Sequence, residues 1–332
     1  MPLKKMQSTA SSANCAASAN VPTDAVGARA ILLNRDRMEA VLTFRRPAQA
    51  SLNPRHDNMA ARMADVSPTS QYAFDSTGAE HQRLIRQAKW VAAHTERLFR
   101  EAGIGPGQRV LDLGSGVGDV ALIAARLVGP SGEVVGIERD PRSIARAAAR
   151  MAEAGLRNVC FTQSDAAQIP SGKPFDAAVG RYILMFLADP VSVLRSLSRL
   201  VRPGGILAFQ EPCWKRFLQQ SAHLPLWSSA ASLLVETFHR SSTNTEMGPA
   251  LSRIFQEAGL PAPSMHTGTL VGSERWLPDC LHSLRSRMAQ LNISVRALGD
   301  FESLSERLQA EVKAFRTTAP LPDIVSAWCR KP

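Results

Sequence analysis

The sequence has no apolar run near the roughly 20 residues that cross a bilayer. It also opens without the charged, apolar and cleavage-site pattern of a signal peptide. Both absences predict a soluble, cytoplasmic protein. Its five cysteines, Cys15, Cys160, Cys213, Cys280 and Cys329, stand singly with no C-x-x-C pair. That spacing argues against a zinc cluster and fits a reducing compartment. Each cysteine reads as a small buried apolar residue. Also missing is the third glycine of the dinucleotide fingerprint G-x-G-x-x-G. Position 119 holds Asp119, and the third glycine comes one residue early as Gly118. Nicotinamide and flavin dinucleotides are therefore disfavoured.

What is present suffices for one large core or two modest ones, with 332 residues of which 45% are apolar. We read one domain over residues 67–332, preceded by residues 1–66. Net charge is +10, a balance that can point to nucleic acid or an anionic surface. Its distribution weakens that reading, because +5 falls in residues 1–62, a stretch rich in Ala, Ser and Asn without sustained periodicity. Residues 1–66 are expected to be a disordered extension. An Arg-rich targeting peptide is an alternative, opposed by Asp24, Asp36, Glu39 and Asp57. Another is a misplaced start, with translation opening at Met59 or Met63.

Residues 108–119 carry the strongest chemical signal. Val110, Leu111 and Leu113 form the apolar run of a strand buried on both faces, and Gly114, Gly116 and Gly118 follow without a gap. Glycine there admits positive φ and lets a ligand press against bare backbone. Val120, Ala121, Ile123, Ala124, Leu127 and Val128 then take helical spacing. The loop thus opens onto a helix N-terminus with free N–H groups. Asp112, at the strand's carboxyl end, would repel a pyrophosphate and attract an ammonium.

This segment resembles motif I of the class I S-adenosylmethionine (SAM) dependent methyltransferases, and the later motifs follow in order. Residues 132–138 read as a second strand ending in Glu138, 20 residues after Gly118, placed as in proteins that grip both ribose hydroxyls. Residues 158–166 read as a third strand ending in Asp165. The resemblance assigns Asp165 to the adenine amino group, with the Ala166 N–H beside it. Residues 175–181 match the fourth strand, and Tyr182 to Phe186 follow where methyl donor and acceptor meet in that family. Asp189 and Pro190 start a helix as cap and first residue. Arg202 to Gly205 predict a tight turn, and Ile206 to Gln210 a fifth strand finishing at Glu211.

The resemblance implies an α/β fold: a Rossmann-like, doubly wound sheet of seven mostly parallel strands in the order 3-2-1-4-5-7-6, with strand 7 antiparallel. It implies SAM as cofactor and S-adenosylhomocysteine as product. The residues it places on the cofactor are Asp112, Gly114, Ser115, Gly116, Gly118, Glu138, Arg139, Asp165, Ala166 and Arg181. No metal is implied. The most similar branch acts on small molecules and includes ubiquinone and menaquinone C-methyltransferases. After the fourth strand this chain reads Gly-Arg-Tyr-Ile. Methyltransferases acting on adenine, cytosine-N4 or glutamine amides carry Asn/Asp-Pro-Pro-Tyr/Phe there, which counts against DNA as a partner.

The flanks are read as covering the site. Residues 67–103 are expected to form N-terminal cap helices. From about Glu80 to Glu101 one helix puts Leu84, Ile85, Ala88, Val91, Ala92, Leu98 and Phe99 on its apolar face and Arg83, Arg86 and Lys89 elsewhere. In similar enzymes this element lies over the pocket, bringing Tyr72, Phe74, Arg86 or Gln87 near the methionine end of the cofactor. Residues 213–245 and 275–317 read as helical insertions forming a lid, an acceptor pocket or a homodimer face. Between and after them come a helix at 247–260, strand six at Ser264 to Val271 and strand seven at Ile324 to Arg330.

Methyl transfer from a sulfonium is an in-line displacement in which positioning and exclusion of water supply most of the acceleration. An oxygen or nitrogen acceptor needs a base, for which His223, His239, His266 and Glu211 are candidates. For a carbon acceptor, Tyr182 or Glu211 would orient the ring. The expected activity is transfer to an O, N or C atom of a small, apolar or aromatic metabolite. Two alternatives stay open: a SAM-binding member that does not methylate, using the cofactor structurally or in a cyclisation, and an RNA methyltransferase, supported by the basic balance alone.

Overall fold

The computed structural model describes Phe74, residues 77–166, Ile169, residues 172–270, Gly272 and residues 274–332. The expectations for residues 1–66, for Tyr72 and for a start at Met59 or Met63 lie outside the described residues.

Helix α1 (Gly78–Ala102) leads into β1 (Arg109–Leu113), α2 (Asp119–Val128), β2 (Glu133–Glu138), α3 (Pro141–Glu153), β3 (Val159–Gln163) and β4 (Phe175–Arg181). A 3-10 turn at Leu184–Phe186 precedes α4 (Pro190–Leu200) and β5 (Val201–Cys213). The chain continues through α5 (Trp214–Ser221), α6 (Pro225–Arg240), α7 (Met247–Glu257), β6 (Ser264–Gly268), α8 (Trp276–Ser283), α9 (Arg285–Gln290), α10 (Leu304–Ala314) and β7 (Asp323–Arg330).

The strands form one sheet in the order β3-β2-β1-β4-β5-β7-β6. β1 to β5 pair in parallel, and β7 runs antiparallel to both β5 and β6. The order reverses at β1, which lies between β2 and β4. Such a switch point leaves a crevice at the carboxyl ends of the strands.

Alternation along the strands divides the core. Val110, Val134, Ala177, Val179, Ile206 and Ala208 pack with Leu98 and Phe99 of α1 and with Ala121, Ala124 and Val128 of α2. Leu111, Leu113, Val135, Ala178, Leu207 and Phe209 face the other layer, as a two-residue period requires. That second layer contains α4, α7 and the helical insertions, which bury Trp214, Phe217, Trp227, Phe238, Trp276 and Leu308 in the same cluster. It is tied by a long-range cap: Glu311 of α10 accepts from the Leu226 and Trp227 N–H groups at the start of α6, both at 2.7 Å. A carboxylate there satisfies orphan donors and complements the helix dipole.

Local signals set the helix ends. Thr77 caps α1 by accepting from the Glu80 N–H at 3.1 Å, and Gly103 closes it at φ 88°. Asp140 caps α3 ahead of Pro141. β5 begins at Val201, and residues 202–205 loop out of its pairing with β4, since Val201 and Ile206 stand opposite Phe175 and Ala177 and Gly204 takes φ 71°. One expectation needs correction: strand β6 stops at Gly268 instead of running to residue 271. Arg83, off the apolar face of α1, is nonetheless buried, because Glu80, one turn earlier, pairs with it at 2.6 Å.

Candidate active site

The carboxyl edge of the sheet opens on a cavity of about 660 Å³, within the usual size range of small-molecule sites. Gly114, Ser115, Gly116, Glu138, Arg139, Asp165, Ala166, Arg181 and Tyr182 all line it.

The three glycines adopt left-handed backbone at φ 63°, 50° and 84° and do different work. A Cβ on Gly114 would lie 2.6 Å from Ile183 Cδ1, whereas one on Gly116 would meet nothing within 4 Å. Gly116 therefore bares its backbone to open space. A Cβ on Gly118 would crowd Ala147, Met151 and Phe161 at 3.1–3.3 Å. Gly118 caps α2 outside the cavity wall, where close packing leaves no room for a side chain.

Glu138 binds its own neighbourhood. Its Oε2 accepts from the Gly116 N–H at 2.9 Å, and its Oε1 accepts from the Arg139 and Asp140 N–H groups at 2.8 and 3.0 Å. This holds the glycine loop to the end of β2 and leaves Oε2 with a further lone pair for a hydroxyl donor. Asp165 is exposed at the rim, with Ala166 half-buried beside it.

Asp112 lies behind the glycine loop and does not line the cavity. It is 1% exposed, and neither carboxyl oxygen has a hydrogen-bond partner. Burial pushes it up to about 8, against the pull of the Arg181 guanidinium. A cationic group brought near would favour its ionised form.

Arg181 is fixed by a buried chain. Its Nη1 donates to Thr95 Oγ1 at 2.9 Å, and Thr95 Oγ1 donates to Gln210 Oε1 at 2.7 Å. Gln210 Nε2 donates in turn to Ser326 Oγ at 2.8 Å. The chain joins α1, β4, β5 and β7 behind one guanidinium. Tyr182 follows at φ 56°, a backbone conformation that is costly for an aromatic residue and tends to mark functional sites. Desolvation by burial, followed by Glu211 and Cys280, pushes its phenol well above the usual range. The hydroxyl stays protonated at neutral pH and can donate, but cannot serve as a base.

The other expected catalytic groups lie elsewhere. Glu211 is fully buried and outside the wall; its Oε1 accepts from the Ile183 and Leu184 N–H groups at 3.0 and 2.7 Å. It shapes the segment after β4 and does not face an acceptor. His223, between α5 and α6, and His239, in the last turn of α6, are exposed and away from the cavity. His266 is on edge strand β6 beside Glu101, 3.2 Å away.

Sequence reading missed His81, the histidine among the described residues that lines the cavity. Ser143 Oγ donates to Asp140 Oδ2 at 2.9 Å and stands 3.2 Å from His81 Nε2. Having committed its proton to Asp140, the Ser143 oxygen accepts from Nε2, leaving Nδ1 as the proton acceptor. Also missed were Glu80 and Arg83 beside it on α1, which form a polar row with Gln87, a residue that the sequence did place over the pocket. A signal existed, because Glu80, Gln87 and Thr95 continue the helical stripe of Leu84, Val91 and Leu98. The far wall is aromatic, with Phe74, Trp214, Phe238 and Trp276.

A glycine loop opening onto α2, an acidic residue ending β2 and the strand order 3-2-1-4-5-7-6 together define the class I methyltransferase architecture. The family model described as "Methyltransferase domain" matches residues 104–259. Aklanonic acid methyltransferase DauC from Streptomyces sp. (strain C5) is 33% identical over 43% of this chain and 64% of its own length. The ubiquinone/menaquinone biosynthesis C-methyltransferase UbiE of Pseudomonas paraeruginosa is 29% identical over 64% of this chain and 96% of its own. Among solved structures, YjhP from E. coli is 20% identical, with a TM-score of 0.49, covering 76% of this chain and 98% of that one. Residues 104–259 are a methyltransferase domain, and the chain is similar to SAM-dependent methyltransferases of small molecules. Among the described residues no helix is long and apolar enough to cross a membrane.

Proposed function

We propose that the chain moves the methyl group of SAM to an O, N or C atom of a small, apolar, ring-bearing metabolite. The observation that carries this reading is one cavity bounded by the glycine loop and Glu138 on the sheet side and by Trp214, Phe238 and Trp276 on the helical side. Polar groups for a nucleoside and apolar rings for an acceptor therefore share one enclosure, as a displacement between two bound molecules requires.

The residues fit the cofactor. Glu138 receives the ribose diol, Asp165 and the Ala166 N–H the adenine, and the Gly114–Gly116 backbone the sulfur-bearing chain. Arg181 faces the carboxylate of the methionyl portion, and Asp112 lends negative charge beneath its ammonium. Bound there, SAM supplies an electrophilic methyl group with a neutral thioether as leaving group.

The remaining chemistry belongs to the chain. Aromatic walls exclude water from the transfer, and the protonated Tyr182 hydroxyl donates to the acceptor. His81 Nδ1, oriented through Ser143 and Asp140, receives the proton when the acceptor is a hydroxyl or amine. The similarity to an aklanonic acid methyltransferase and to a ubiquinone/menaquinone biosynthesis C-methyltransferase supports a ring-bearing acceptor here.

Incubation with methyl-labelled SAM and a metabolite extract, followed by mass spectrometry, tests the reading. Label is expected in an apolar ring compound. Label confined to RNA, or to hydrophilic metabolites, would contradict it.

A further inference from the structure

Among the described residues, the cavity wall contains a polar amide whose donors are fixed in place and unused. Gln87, on the inner face of α1, accepts at Oε1 from Arg83 Nη1 at 2.7 Å and from Trp276 Nε1 at 3.1 Å. Both partners are donors only, so they settle which end of the amide is oxygen. Arg83 is itself held by Glu80, whose Oε2 and Oε1 accept from its Nε and Nη2, each at 2.6 Å. Its guanidinium lies 4.6 Å from the centre of the Phe74 ring. The amide is thus clamped from two sides, and its Nε2, with two N–H groups, has no partner among the described residues.

We propose that Gln87 is a specificity-determining residue of the acceptor pocket, its amide nitrogen donating to a neutral carbonyl oxygen carried on the acceptor's ring system. This rests on the methyl-acceptor reading above. Three observations favour it. The surroundings are flat and apolar: Trp214 stacks with Trp276 at 6.4 Å and packs against Phe238 at 5.0 Å. The neighbouring cation is already neutralised by Glu80, so the site has little to offer an anionic group. Gln87 is also clamped by α1 and α8, whereas the groups suited to the cofactor stand on the ends of β1, β2, β3 and β4. A site with buried donors rejects a ligand that leaves them unpaired.

Calorimetric titration of the full chain tests this with matched pairs, 1-tetralone against tetralin and 9-fluorenone against fluorene, with and without saturating S-adenosylhomocysteine. The wild type should bind each ketone about fivefold to tenfold more tightly than its hydrocarbon. Gln87→Leu should bring the ketones down to the hydrocarbon level and leave hydrocarbon affinity unchanged. Trp276→Phe, which removes one clamping N–H, should reduce the preference in part. Equal binding of ketone and hydrocarbon by the wild type, including no binding of either, overturns the proposal. So does a preference that survives Gln87→Leu. Loss of S-adenosylhomocysteine affinity in Gln87→Leu with the ketone preference intact would assign Gln87 to the cofactor and also overturn it. Failure of the wild type to bind S-adenosylhomocysteine would instead strike the methyltransferase reading, and the pairs titrated without it would still decide the role of Gln87.

Discussion

On the sheet side, the cavity is built from three short segments, Gly114–Gly116, Glu138–Asp140 and Ser164–Ala166, each at the end of a neighbouring strand. On the helical side it is built from Phe74, Gln87, Trp214, Phe238 and Trp276, drawn from widely separated parts of the chain. The first region is held by local backbone bonds, such as those that Glu138 accepts from Gly116, Arg139 and Asp140. The second is held by long-range side-chain contacts such as Gln87–Trp276. A cradle made of local bonds can be kept while the facing wall changes, which is how one cofactor site can serve different acceptors.

The sharpest way to break that comparison is through the helical side's buried ion pair. Glu80→Ala removes the carboxylate that pairs with buried Arg83, and should cost about 3–5 kcal/mol of stability in urea denaturation. Glu80→Gln, which keeps an acceptor, should cost less. On the sheet side, Glu138→Ala should weaken S-adenosylhomocysteine binding about tenfold or more, roughly 1.4–3 kcal/mol, and lower the melting temperature less than Glu80→Ala does, because it also releases the Gly116, Arg139 and Asp140 N–H groups. A Glu138 variant that bound normally would sink its ribose role.

A smaller effect concerns pH. Burial pushes both Asp112 and Glu211 up to about 8 in the folded chain. Between the ordinary carboxylate range and about pH 8, the folded chain holds protons that the unfolded chain has released. Their stabilising contribution is complete at low pH and declines as pH rises toward 8. Glu211→Gln should therefore show a shallower fall in melting temperature across that window. Parallel pH profiles for variant and wild type would contradict the assignment. Smallest of all, His223→Ala and His239→Ala should leave methyl transfer within about twofold of wild type, because both histidines are exposed and outside the cavity.

The legibility of the sequence follows the same division. Residues 108–119 announce a strand, a loop and a helix because glycine conformation and apolar spacing are local properties, and the strand order followed from the motifs that came after. Asp112 was legible as a strand-end carboxylate, but not its burial, which follows from the period of two turning its side chain into the core. The histidines were misjudged because spacing along a helix does not say which helix end meets the cavity. The burial of Arg83 was not legible, since only its pairing with Glu80 explains it. Trp276 and Gln87 could not be joined from sequence, because their contact depends on how α8 packs on α1.

The central claim is that the glycine loop and Glu138 hold a sulfur nucleoside rather than a dinucleotide. Calorimetric titration of the chain with SAM, S-adenosylhomocysteine and NAD(H) under one set of conditions tests it most directly. The account predicts micromolar binding of the first two and none of the third. Binding of NAD(H), or no binding of either sulfur nucleoside, would contradict it.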